Sequence, residues 1–186
     1  MSSLKVEGGA PLKGIIPIGG NKNAALPMIA GCLLTGEEMI LHNVPDIRDV
    51  HSMLQIAASL GAEFEFQDHT LHICARNLHS SSIDRELCSQ NRTSILFAAP
   101  LIARFGKAEL FPPGGDVIGR RRLDGHFYGL TTLGADLTYG KSYCFNAPKG
   151  LHGRELFLDE ASVTATEQIL LAAATAEGRT VLFNAA

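Results

Sequence analysis

Three apolar runs along this chain are almost free of polar positions, and the segments between them alternate. Residues 24–34, 94–103 and 165–176 carry few charges on any face. A helix lying on a sheet keeps a polar stripe, so these runs read as helices buried on all sides. Residues 47–60 and 123–133 instead show the amphipathic period, and Glu63-Phe64-Glu65-Phe66 and Thr70-Leu71-His72-Ile73-Cys74 alternate as strands do. The pattern predicts three parallel helices inside, with sheet and amphipathic helix wrapped around them.

The runs recur at a fixed distance. Their heads are Lys22, Arg92 and Ser162, 70 residues apart both times. A glycine follows each run (Gly36, Gly106, Gly178), and then a short strand-like stretch. In the first two copies a second helix ends in Leu60-Gly61-Ala62 or Leu133-Gly134-Ala135, followed by strand, turn and strand. A period this long indicates duplicated supersecondary units. The expected architecture is an α/β lobe of pseudo-threefold repeats, with two full copies and a third that is incomplete.

Parallel helices in such a lobe bring their starts to one end. Each start offers unpaired N–H groups and a positive dipole end, so the shared end is suited to anions. A single basic residue there would be an ordinary cap, but Lys22 and Arg92 recur at equivalent positions. Copy two also carries three extra residues in or near Pro112-Pro113-Gly114-Gly115-Asp116-Val117-Ile118-Gly119-Arg120-Arg121-Arg122. Insertions in repeats map to loops, often on the binding face, and glycines with consecutive arginines suit phosphate recognition. His126 follows closely, with an orienting and a structural role both open.

Composition narrows the classes. At 186 residues the chain can bury one sizeable core, and 46% hydrophobic with 19% charged is ordinary for a globular protein. A formal net charge of −3 gives no general attraction to nucleic acid. Cys32, Cys74, Cys88 and Cys144 lack metal-ligand spacing, so reduced, mostly buried thiols and no metal are expected. His69 and His72 fall in a surface hairpin on opposite faces. Asp46 and Asp49 read as caps of the helix that follows, and no Ser-His-Asp triad has supporting context. Met1-Ser2-Ser3-Leu4-Lys5 shows no signal peptide, and no apolar run reaches the roughly 20 residues needed to span a bilayer.

Four strings resemble one family. They are Gly20-Asn21-Lys22-Asn23-Ala24-Ala25-Leu26-Pro27, Arg92-Thr93-Ser94-Ile95 with its downstream Pro100-Leu101-Ile102-Ala103-Arg104-Phe105-Gly106, the loop from Pro113 to Arg121, and Asp159-Glu160-Ala161-Ser162-Val163. In order and spacing they are similar to the UDP-N-acetylglucosamine enolpyruvyltransferases, over essentially the whole chain. The resemblance implies an inside-out α/β barrel lobe. It implies transfer of enolpyruvyl from phosphoenolpyruvate to the 3-hydroxyl of UDP-N-acetylglucosamine with release of phosphate, the first committed step of peptidoglycan synthesis. A cytoplasmic enzyme with small-molecule substrates and no cofactor follows, with neither nucleic acid nor membrane as partner.

Carried over by position, Lys22 and Asn23 contact phosphoenolpyruvate and the sugar, and Arg92 binds the nucleotide sugar. Arg121, Arg122, Leu123, Asp124 and Gly125 line the uridine and diphosphate site, and Glu160, Ala161, Ser162 and Val163 touch the diphosphate. Asp116 stands where many members carry the cysteine that protonates C3 and that fosfomycin alkylates. Arg122 and Glu160 replace a common proline and lysine. The family has two lobes and about twice this length, so the resemblance implies that residues 1–21 belong or link to the other lobe, with 22–186 forming this one. A second lobe is required for turnover. The alternatives are a non-catalytic lobe that holds a UDP-sugar or phosphate, and one half of a split protein.

Overall fold

The computed structural model describes residues 3–9, 11–115 and 122–186. An extended segment comes first, its apolar side chains in solvent: Leu12 is 97% and Ile15 98% exposed. It meets the body at Gly20, where a Cβ would lie 1.8 Å from the Asn43 carbonyl oxygen, so only glycine allows the approach.

Helix α1 (Lys22–Cys32), β1 (Glu38–Leu41), α2 (Arg48–Leu60), β2 (Glu63–Gln67) and β3 (Thr70–Cys74) follow. The three strands form an antiparallel sheet in the order β1-β3-β2. In β3 the alternation resolves as read: Leu71 and Ile73 are buried, while Thr70, His72 and Cys74 are half-buried. His69 lies in the β2–β3 turn with φ 60°.

Next come β4 (Ser82–Ile83), α3 (Arg85–Gln90), a 3-10 helix Arg92–Phe97, α4 (Ala98–Phe105), β5 (Lys107–Leu110), α5 (Asp124–Thr132), β6 (Asp136–Tyr139) and β7 (Tyr143–Asn146). Their sheet runs β4-β5-β7-β6, with only the β4–β5 pair parallel. Finally β8 (Glu155–Phe157) and β9 (Val181–Phe183) pair in parallel across α6 (Val163–Ala173).

Helices α2 and α5 stop in the same way. Gly61 and Gly134 take φ 107° and 111°, and Ala62 N–H and Ala135 N–H reach back to the carbonyls of Ala57 and Leu130. This is the glycine-terminated cap that satisfies the last carbonyls of a helix, and it accounts for both Leu-Gly-Ala strings.

Two expectations about the apolar runs are corrected. The second run is two pieces: six residues of 3-10 helix lead into α4. And α1 and α6 are not buried on all sides, because Met28 is 46% and Leu170 59% exposed. The 3-10 helix and the first residues of α4 are the best-buried stretch, with Ile95, Leu96, Phe97, Ala98 and Ala99 at the centre of one continuous core.

Helices α5 and α6 pack closely because α5 presents Gly125 and Gly129, four apart and so on one face. A Cβ on Gly125 would come within 3.0 Å of Ala165, and one on Gly129 within 2.4 Å of Ile169. That contact brings the residues before α5 next to those before α6.

Candidate substrate-binding cleft

Each helix start is held by a short polar residue, which precedes the basic head in the first two runs and is the head itself, Ser162, in the third. Asn21 accepts from the N–H groups of Asn23 (2.8 Å) and Ala24 (3.3 Å). Asn91 accepts from Thr93 N–H (2.9 Å), and Ser162 from Ala165 N–H (3.4 Å). Capping by Asn and Ser satisfies first-turn donors that would otherwise be unpaired. Among the described residues no group takes the N–H groups of Val163 and Thr164, both beside an open cleft of about 1320 Å³.

Segments far apart in sequence line that cleft. Lys22 and Asn23 come from α1, and Arg48 and Asp49 from α2. Asn91 and Arg92 come from the start of the 3-10 helix, Arg122, Asp124, Gly125 and His126 from the entry to α5, and residues 159–165 from the entry to α6. Lys22, Asn23, Arg92, Arg122, Asp124, Gly125, Glu160, Ala161, Ser162 and Val163 therefore share one cavity. Leu123 does not line it; the side chain packs against the hydrophobic core. Asp116 and Arg121 lie outside the described residues.

The cations are organised by neighbours that the sequence reading assigned elsewhere. Lys22 Nζ donates to Asp49 Oδ2 at 2.8 Å. Asp49 is thus not a cap, and neither is Asp46, which pairs with His51 at 2.6 Å. The cap position of α2 is Ile47, which has no side-chain bond to offer. Asn91 Nδ2 donates to the Asp49 carbonyl at 3.3 Å, tying the second helix head to the residue that holds Lys22. The Arg92 guanidinium donates to the Arg122 carbonyl at 2.9 Å, and Arg122 pairs with Asp124. Both ion pairs are substantially exposed. Such pairs are worth about 1 kcal/mol or less, so an arriving dianion can draw the cations away from their carboxylates.

His126 is different. It is 1% exposed, its Nε2 lies 3.1 Å from Thr164 Oγ1, and its Nδ1 has no partner among the described residues. Burial first, and then the charge of Arg92, push its pKa down to about 4. The imidazole is neutral near pH 7 and links the start of α5 to the start of α6. The thiols of Cys32 and Cys88 are buried, and burial raises the pKa of both, that of Cys32 to about 11. Among the described residues no cluster of three or more His, Cys, Asp or Glu is placed to hold a metal ion.

Asp49, Asn91 and Thr164 were missed as cleft residues. A signal for Asn91 was present, since Asn precedes the basic head in both copies, at 21 and 91. Asp49 had none, because its partner lies 27 positions away.

An α/β arrangement of this kind is shared with solved enolpyruvyl transferases. The chain superposes on the enolpyruvyl transferase NikO of Streptomyces tendae with a TM-score of 0.78 at 20% identity, covering 94% of this chain and 41% of that one. An EPSP synthase of Acinetobacter baumannii gives 0.72 at 19% identity, over 91% and 40%. Residues 6–186 match the model of the EPSP synthase (3-phosphoshikimate 1-carboxyvinyltransferase) family, and the chain belongs to that family. Among relatives, the UDP-N-acetylglucosamine 1-carboxyvinyltransferases of Treponema denticola and Borreliella burgdorferi are 50% and 51% identical to it over all of this chain. That of Bradyrhizobium diazoefficiens is 52% identical over 97% of it. The chain spans 44%, 44% and 42% of the lengths of these relatives.

Proposed function

We propose that this chain supplies one lobe of an enzyme that transfers enolpyruvyl from phosphoenolpyruvate to the 3-hydroxyl of UDP-N-acetylglucosamine, releasing phosphate for peptidoglycan synthesis. The observation that carries the reading is the convergence of Lys22, Asn23, Arg92, Arg122 and residues 160–163 on one cleft at the helix heads. Identities near 50% to UDP-N-acetylglucosamine 1-carboxyvinyltransferases, against about 20% to NikO and EPSP synthase, favour the nucleotide sugar over a shikimate substrate. The two like-capped helices α2 and α5 support a lobe of pseudo-threefold units. A nucleotide-sugar substrate favours the cytoplasm; among the described residues no helix is long and apolar enough to cross a membrane.

In this reading the diphosphate lies at the start of α6, against the N–H groups of Val163 and Thr164 and the Ser162 hydroxyl. Donors already aimed at an anion lose little in reorganising around it. Arg92, Arg121 and Arg122 complete the charge match. Lys22 exchanges Asp49 for the phosphoenolpyruvate anion, and Asn23 orients the sugar. Asp116 delivers the proton to C3, C2 gains oxocarbenium character, and the sugar hydroxyl attacks C2 and gives up its proton to solvent. The tetrahedral intermediate then loses phosphate from C2 and a C3 proton back to the Asp116 carboxylate, restoring the enol double bond. A carboxylate among arginines is a poor acid until substrate anions neutralise the field, so Asp116 takes up its proton in the ternary complex. It is also a poor nucleophile toward an epoxide, which makes the assembled enzyme insensitive to fosfomycin.

A second reading, a lobe that binds the nucleotide sugar without turnover, is favoured by the share of its relatives that the chain spans. Calorimetric titration separates the cases. UDP-N-acetylglucosamine binds this chain, 3-phosphoshikimate does not, and Arg92→Ala weakens binding. Phosphate release from phosphoenolpyruvate and the UDP-sugar appears only when the remaining part is supplied. Preference for the shikimate, or no effect of Arg92→Ala, overturns the assignment.

A further inference from the structure

Helix α4 begins without a cap of its own. Its cap position is Phe97, which has no side-chain bond to offer the first-turn N–H groups. The missing bond comes from another helix. Gln168 of α6 is 0% exposed, and in the one amide orientation that satisfies both partners its oxygen accepts from Ala99 N–H at 3.0 Å. Its nitrogen then donates to the Ile95 carbonyl at 2.9 Å. A fully buried carboxamide costs stability unless both ends are used, and here both are used at the junction between the 3-10 helix and α4.

That junction sets where Arg92 sits. A 3-10 helix rises about 2.0 Å per residue against 1.5 Å for an α-helix, so recasting its six residues as α-helix would draw Arg92 back by roughly 3 Å. The tighter winding adds a rotation of about a third of a turn. Without a bond at Ala99 N–H, that donor is best satisfied by extending the α-helix toward the cleft. On the same face of α6, one turn earlier, Thr164 holds His126. The polar stripe Thr164–Gln168 therefore joins the start of α5 to the stretch that carries Arg92, and the Arg92 bond to the Arg122 carbonyl closes the ring.

We infer that Gln168 is a positioning residue: by capping α4 from α6 it preserves the 3-10 stretch and thereby holds Arg92 at the reach the cleft requires. The inference rests on the proposed role of Arg92 in binding the nucleotide sugar, and its structural half is tested without ligand. Wild type, Gln168→Met, which keeps the volume and removes both bonds, and Ile169→Val, a destabilising neighbour that touches neither, are compared by NMR. Readouts are the Ala99 amide, the Arg92 Nε–H resonance and the thermal midpoint, followed by titration with UDP-N-acetylglucosamine. In Gln168→Met both resonances move and affinity falls roughly tenfold, as for a charge-assisted hydrogen bond taken out of place; in Ile169→Val the midpoint falls while resonances and affinity hold. Should Gln168→Met not fold, Gln168→Leu, which also removes both bonds at similar volume, is read the same way. A lowered midpoint with Arg92 resonance and affinity unmoved overturns the inference. Failure of wild type to bind the UDP-sugar overturns the proposed function instead, and the Arg92 resonance still decides the positioning.

Discussion

His126 shows how one buried side chain couples the site to the fold. Its folded-state pKa of about 4 lies below the usual value of 6.5, so the unfolded chain binds the extra proton first as pH falls. The stability that neutral His126 contributes is complete above pH 6.5 and is lost as pH drops from 6.5 to about 4, on the order of 3 kcal/mol in all. Carboxylates also titrate in this range, so the expected outcome is a difference. Urea unfolding between pH 7 and 4 gives a steeper loss for wild type than for His126→Gln. Parallel curves would mean that the ring is hydrated or charged in the native state. The exposed Lys22–Asp49 pair makes the opposite case, a contact too weak to matter for folding and well suited to being exchanged for a ligand.

Among the elements, the α5–α6 contact bears most directly on the cleft, because it carries the entries to both helices. Gly129→Ala forces a Cβ to 2.4 Å from Ile169 Cγ1. Overpacking of this kind costs about 1–3 kcal/mol. Gly129→Ala should therefore lower stability by that amount, although alanine is the better helix former. Combined with Ile169→Ala, which removes the clashing atoms, its cost should be much smaller than on the wild-type background. A double-mutant cycle by denaturant unfolding measures the coupling, and simple additivity would show that the helices separate to absorb the methyl.

At the scale of the whole molecule, the extended segment ahead of Gly20 is the part least tied to the rest. Leu4, Leu12, Ile15 and Ile18 are exposed, and apolar side chains left in solvent along a segment of this kind are suited to docking elsewhere. We propose residues 1–21 as a separate unit from 22–186. Brief trypsin treatment should cut after Lys5 and Lys13 and leave a body with an unchanged thermal midpoint, read by mass spectrometry and calorimetry. A midpoint that falls after cleavage would place the segment within the body's core.

What the chain determined by itself was local and periodic. The 70-residue spacing, the Leu-Gly-Ala helix ends, the strand alternation of residues 70–74 and the basic helix heads all follow from contacts within a few residues, where side-chain period and backbone preference decide. The recurrence at 70 residues spoke for Lys22 and Arg92 sharing one end, while Arg122 and residues 160–163 were legible only through the family resemblance. Tertiary structure decided what depends on partners distant in sequence. Asp49 looks like a cap until Lys22 is seen 2.8 Å away. The second apolar run looks like one helix until Gln168, some 70 residues on, caps its middle. Gly129 looks like a weak point of α5 until Ile169 fills the space a side chain would need. In each case the residue type is compatible with several roles, and the choice is made by a neighbour brought close when the core forms.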